Sequence, residues 1–178
     1  IPAWAKSANQ IRSSFNARDD KVATSGLWKR LLARTRCLIP ASGFYEWTGP
    51  KGDRKPQLIR LKGGGLLGFA GIFDTWQNKE SGETVRSCAI ITTGPNSLME
   101  PIHDRMPVIL DAEAEALWLD PATGDPNRLT ALLQPYPAEE MEAYPVSTAV
   151  NSSRGDGPEM MERVDDVEEP RQAGFPID

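Results

Sequence analysis

Apolar residues recur along the chain with two spacings. At Leu27, Trp28, Leu31 and Leu32 they fall three and four apart with charges opposite, which predicts a helix over Ser25–Arg34. Cys37-Leu38-Ile39-Pro40 predicts a short apolar strand, and Gly43 precedes a second one, Phe44 to Trp47. Thr48-Gly49-Pro50-Lys51-Gly52-Asp53 is a turn. Gln57 to Leu61 alternates like a half-buried strand, and Gly63-Gly64-Gly65 ends it. Leu67 to Trp76 is apolar with interspersed glycines, as in a curved or closely approached strand. Val85 to Thr93 carries the strongest strand pattern. Asp111 is placed to cap a helix Ala112–Leu119, and Asp125-Pro126 opens another with Leu129, Leu132 and Leu133 inward. Ala143 to Ser147 predicts a final short strand.

Short strands separated by turns, with few helices, predict an α+β fold. The expectation is of strongly bent antiparallel β-sheets forming a barrel-like core with a few short flanking helices. Residues 1–155 read as one domain, and 156–178 as an acidic, partly ordered tail that loosens beyond about Pro170.

Composition narrows the class. Hydrophobic content of 39% and charged content of 25% are ordinary for a globular protein. No stretch approaches the roughly 20 apolar residues that span a bilayer. No signal peptide opens the chain, so the expected location is intracellular: cytoplasmic in a bacterium, nuclear in a eukaryote. Cys37 and Cys88 are too few for a disulfide framework and read as buried free thiols. No ligand cluster suggests a metal or an organic cofactor. The net charge of −5 hides an asymmetry. Residues 1–62 carry 13 Lys and Arg against 4 Asp and Glu; residues 63–178 carry 7 against 21. Arg12, Arg18, Lys21, Lys29, Arg30, Arg34 and Arg36 concentrate the basic excess. They fit a patch that holds phosphates and equally the wet face of a helix end.

The single histidine lies in Glu100-Pro101-Ile102-His103-Asp104-Arg105-Met106-Pro107. It is a proton donor and acceptor near neutrality, held between prolines that favour a fixed loop. Upstream, Gly43-Phe44-Tyr45-Glu46-Trp47 sets one carboxyl among aromatics. With Asn16-Ala17-Arg18, Arg36-Cys37-Leu38-Ile39-Pro40 and Tyr144-Pro145-Val146-Ser147, these stretches resemble the SOS response-associated peptidase (SRAP) family from Ile1 to about Asn151. Members of that family shield abasic sites in single-stranded DNA by covalent crosslinking.

The resemblance implies that an N-terminal cysteine joins its α-amine and thiol to the sugar aldehyde as a thiazolidine. Glu46 is then the general acid/base, and His103 assists proton transfer. Asn16 orients the sugar or the amine. Arg18 and Arg105 clamp phosphates, Trp4 is an aromatic wedge, Trp47 adds a second stacking face, and Thr92 contacts the DNA backbone. The implied partner is single-stranded DNA containing abasic sites, bound by a monomer without a membrane. The chain opens at Ile1, after the position where the family carries its cysteine, so either the whole protein supplies the nucleophile upstream or the chain is inactive as a crosslinker, and the residues given are expected at most to bind DNA. Two alternatives stand beside this reading. One is a thiol (auto)peptidase pairing Cys37 or an upstream cysteine with His103. The other is a non-catalytic single-stranded DNA-binding module.

Overall fold

Two long strands form the spine of the protein: β-branched and aromatic positions favour extension, and residues 78–83 turn the chain between them. The computed structural model describes residues 1–8 and 15–164. In chain order the first elements are β1 (Asn16–Arg18), α1 (Asp19–Val22), α2 (Lys29–Arg34), β2 (Arg36–Ala41), β3 (Phe44–Thr48) and β4 (Lys55–Leu61). The spine is β5 (Leu67–Gln77) and β6 (Thr84–Thr93). Then come β7 (Met106–Pro107), β8 (Ile109–Leu110), α3 (Ala112–Leu119), α4 (Pro126–Ala131) and β9 (Met141–Pro145).

The larger sheet runs β1-β6-β5-β2, and the smaller runs β3-β4-β9. Every pairing is antiparallel except that of β1 with β6, which is parallel and makes the larger sheet mixed. β5 and β6 stay paired from Gln77↔Thr84 to Gly71↔Ile90, and then they part. Residues 106–110 fill the gap: β7 pairs with the end of β6 and β8 with the start of β5. Between them Val108 N–H donates to Ile91 O (2.8 Å), and Val108 O accepts from Ala70 N–H (2.9 Å). This insertion bends the sheet into a half-barrel, as the interspersed glycines of β5 anticipated. At Gly71 a Cβ would meet Cys37 Sγ and Ile39 Cδ1, each at 2.9 Å, so a larger residue would have to push the neighbouring strand's side chains aside.

Three apolar layers follow from strand alternation. One face of the larger sheet packs on the helices through Ile72, Ile91, Leu32, Trp118 and Leu129. The other faces the smaller sheet through Phe69, Met99, Met106, Ile109 and Ile59. The outer face of the smaller sheet carries Leu58, Tyr144 and Val146, packed with Tyr45 and Met161. Each fully buried leucine here is worth about 1.5–3 kcal/mol.

Several boundaries moved. The helix expected over Ser25–Arg34 begins only at Lys29, because Ser25–Trp28 forms hydrogen-bonded turns through Ser25 O. The last strand lies two residues earlier than expected, with its register fixed by Leu61↔Met141 and Gln57↔Pro145. Helix α3 has its expected bounds, with Asp111 accepting from Ala114 N–H at 2.8 Å. Cys88 is exposed rather than buried, because the positions on its face toward the start of β6, Arg86 and Thr84, are uncovered too. Packing continues past residue 155: Met161 joins the outer apolar cluster and Val164 N–H donates to Pro145 O (3.0 Å). The loosening expected beyond Pro170 falls outside the described residues. Among the described residues no helix is long and apolar enough to cross a membrane.

Candidate functional site

Glu46 sits where the alternation of β3 turns a carboxyl inward. Phe44 faces the core between the sheets and Tyr45 the outer cluster, so Glu46 returns to the inter-sheet side, opposite Gln57. It lies beyond the apolar core and is half-buried. Burial raises its pKa above the ordinary carboxylate value; His103 pulls it down, Asp104 pushes it up and Arg54 pulls it down. The net direction is upward, because desolvation is the largest effect.

His103 comes within electrostatic range of this carboxyl, and the wedge at 106–110 ties its loop to the sheet. Asn96 Oδ1 accepts from Leu98 and Met99 N–H, and Met99 is fully buried. His103 N–H then donates to Met99 O at 2.8 Å. The Arg105 N–H donates to His103 Nδ1 at 3.0 Å when that nitrogen is unprotonated. When the ring is charged, Nδ1–H faces Arg105 O (3.0 Å) and Asp104 Oδ1 (3.2 Å). Both protonation states have partners, as a proton-transfer group requires.

Beside this pair lies a network of two arginines and two acids. Arg105 Nη2 donates to Asp19 Oδ1 at 2.7 Å and Arg105 Nε to Thr92 Oγ1 at 3.0 Å; Nη2 also bonds the Thr92 carbonyl. Thr93 Oγ1 donates to the other Asp19 oxygen at 2.9 Å. Arg18 pairs instead with Asp20. Asn16 and Arg18 are exposed on one face of β1, while Ala17 between them is buried. Asp104 acts electrostatically on Glu46 and on Arg18, so carboxyl, imidazole and the β1 face share one polar neighbourhood.

The other expected residues are more dispersed. Trp47 lies on the opposite face of β3 from Glu46, its Nε1 donating to Asn151 Oδ1 at 2.7 Å. Trp4 is 60% exposed, and lines a recess of about 460 Å3 with Trp76, Gln77 and Lys79. The segment carrying it is anchored by Trp76 Nε1 to Ala5 O (2.7 Å) and by Ala3 N–H to Asp74 (2.8 Å). Trp76 pairs with Val85, seven positions from Thr92, which is roughly 23 Å along the strand. Trp4 therefore stands at the far end of the sheet from the polar network.

Arg18, Arg30 and Arg36 of the basic stretch have internal partners, and Arg12 lies outside the described residues. Arg36 donates to the carbonyls of Leu32, Ala33, Trp118 and Asp120, capping the ends of α2 and α3. Arg30 pairs with Asp74. Cys37, the internal candidate for a peptidase nucleophile, is half-buried, and its thiol is pushed up to about 11 by that burial. Sequence reasoning gave no role to Arg54 or Asn151 and read Asp20 only as an ordinary ion-pair partner of Arg18. Asp20 had a signal in its neighbour Arg18; Arg54 and Asn151 reach the site only through the hairpin register and the chain after β9.

Comparison with known proteins finds relatives along most of the chain. The family model described as SOS response associated peptidase (SRAP) matches residues 1–153. The abasic site processing protein YoqW of Bacillus subtilis is 46% identical over 164 residues, covering 91% of this chain and 72% of YoqW. The abasic site processing protein HMCES of Xenopus tropicalis is 35% identical over 183 residues, covering 90% of this chain and 54% of HMCES. A crystal structure of a protein from Bacteroides thetaiotaomicron has a TM-score of 0.85 at 32% identity, covering 92% of this chain and 73% of that one.

Proposed function

The chain belongs to the SOS response associated peptidase family, and from that premise we propose that it captures abasic sites in single-stranded DNA by covalent crosslinking. The nucleophile is an N-terminal cysteine of the whole protein, upstream of Ile1. Its α-amine adds to the open-chain sugar aldehyde to give a carbinolamine. Loss of water leaves an imine, the thiolate adds to the imine carbon, and the nitrogen takes a proton, closing a thiazolidine. The amine must lose a proton and the departing hydroxyl must gain one.

The observation that carries this reading is a carboxyl of raised pKa within electrostatic reach of a two-state imidazole. Glu46 is the general acid/base: half-burial keeps part of its population protonated closer to neutrality than an exposed glutamate allows. His103 supplies or accepts the second proton through Nε2. Asn16 orients the sugar or the amine. Arg18, the more exposed guanidinium, is the first phosphate contact, and Arg105 adds its charge from behind Thr92. Trp4, exposed at the far end of the sheet, offers an aromatic face to bases several nucleotides from the lesion, whereas Trp47 is held behind Glu46 by Asn151 and takes no part in stacking. A peptidase built on Cys37 has less support, because a thiol pushed up to about 11 is almost wholly protonated at neutral pH.

The test uses the whole protein, including the residues that precede Ile1, and an oligonucleotide carrying an abasic site. A band stable to denaturing electrophoresis forms with the abasic strand and not with the intact one. Glu46→Gln slows its formation by about 100-fold or more. A band that forms equally fast with Glu46→Gln, or no band at all, refutes the reading.

A further inference from the structure

Consecutive residues of α1, Asp19 and Asp20, each hold one arginine of the site, and the two pairs differ in accessibility. Arg105 and Asp19 are 19% and 26% exposed, and both make further bonds to Thr92 or Thr93. Arg18 and Asp20 are 57% and 46% exposed. Their contact is two-pronged: Arg18 Nε donates to Asp20 Oδ1 at 2.9 Å and Nη2 to Oδ2 at 3.2 Å. That is the arrangement two oxygens of a phosphate adopt on a guanidinium. Asp20 thus occupies the docking geometry that a nucleic-acid backbone would need. An ion pair this wet is weakly held, so an arriving phosphate can displace it, whereas the covered Arg105–Asp19 pair resists exchange.

We propose that Asp20 is a selectivity residue: a resident counter-ion on Arg18 that a DNA strand must displace before it can dock. The inference rests on the DNA-binding reading above. Phosphates are the same in damaged and undamaged strands, so the cost of displacing Asp20 falls on all non-covalent binding. An abasic strand recovers it through the bond it forms, and an intact strand does not. Asp20 therefore shortens the stay on undamaged DNA without touching the crosslinking groups. Asp104 and Asp19 also lie within electrostatic reach of Arg18, but neither bonds its fork.

The experiment measures binding of an intact single-stranded oligonucleotide across a salt series, for the wild-type protein, Asp20→Asn, Arg18→Ala and the double variant, each checked for folding by thermal melting. Asp20→Asn is expected to bind about 3- to 10-fold more tightly, with a salt slope steeper by about 0.7 for each additional phosphate neutralised. The tighter binding should vanish in the Arg18→Ala background. Unchanged or weaker binding by Asp20→Asn overturns the proposal, as does an increase that persists without Arg18, which would reflect general charge. No binding by wild type or any variant at low salt overturns the DNA-binding reading itself, and this inference with it.

Discussion

Trp47 donates its indole N–H to Asn151 across 2.7 Å, and this bond fastens the strand that carries Glu46 to a segment beyond the last sheet strand. Two positions earlier on the same face, Tyr45 Oη donates to the Met160 carbonyl at 3.2 Å. Both outward aromatics of β3 are thus anchored behind the site, while Glu46 between them points the other way. Asn151→Ala should cost about 0.5–1.5 kcal/mol and loosen the indole. Thermal melts and tryptophan emission check both, and crosslinking should slow by less than it does in Glu46→Gln.

Glu46 is expected to be bad for stability and good for chemistry. Its folded pKa is raised, so the folded state binds its proton more tightly than the unfolded chain does. The stabilising contribution is complete below the unfolded value and is lost as pH rises through the folded one. Glu46→Gln should therefore be more stable than wild type at neutral pH, by at most about 1 kcal/mol because water screens a half-buried carboxyl. The difference should vanish below about pH 4. Urea midpoints at the two pH values measure it.

Asp104 and Arg54 push Glu46 in opposite directions. Asp104→Asn should move the limb of the rate–pH profile that reports Glu46 ionisation to lower pH, and Arg54→Ala should move it to higher pH. Crosslinking rates across a buffer series test both, and shifts of the same sign would show that Glu46 does not control that limb.

Arg36 stabilises from outside the site. Its guanidinium bonds four carbonyls at the C-terminal ends of α2 and α3, where a cation also opposes the helix dipoles. Arg36→Ala should cost about 2–4 kcal/mol by denaturant unfolding. Lysine should recover only part of it, since one ammonium cannot span acceptors on two helices. DNA affinity of the folded fraction should stay unchanged.

Elements defined by their own residues were legible in the sequence. Helix α3 follows from its Asp111 cap, and β5 and β6 from long β-rich runs that ended within a residue of expectation. Elements defined by a distant partner were not. β1 is three residues long and exists because β6 lies beside it, and β7 and β8 exist because β5 and β6 part. The site divides in the same way. Glu46 and His103 stood out by residue type and setting and by family resemblance. Arg36 stood evenly between a phosphate-holding patch and a helix end, because its carbonyl partners at Trp118 and Asp120 lie more than 80 positions away. The Arg18–Asp20 pair was visible as adjacent opposite charges, but its two-pronged geometry needed the backbone turn from β1 into α1.

The wedge at 106–110 joins pairings of very different reach along the chain. The β5–β6 hairpin closes over a handful of residues, so it can form as soon as both strands exist. Pairing of Leu61 with Met141 closes a loop of about 80 residues, at a much larger entropic cost. The stitch between the parted strands is the foundation of the histidine loop, and β9 completes the smaller sheet. Without β9 the smaller sheet would be a two-stranded hairpin and Met141 would be missing from the apolar layer that joins the sheet of the carboxyl to the loop of the imidazole.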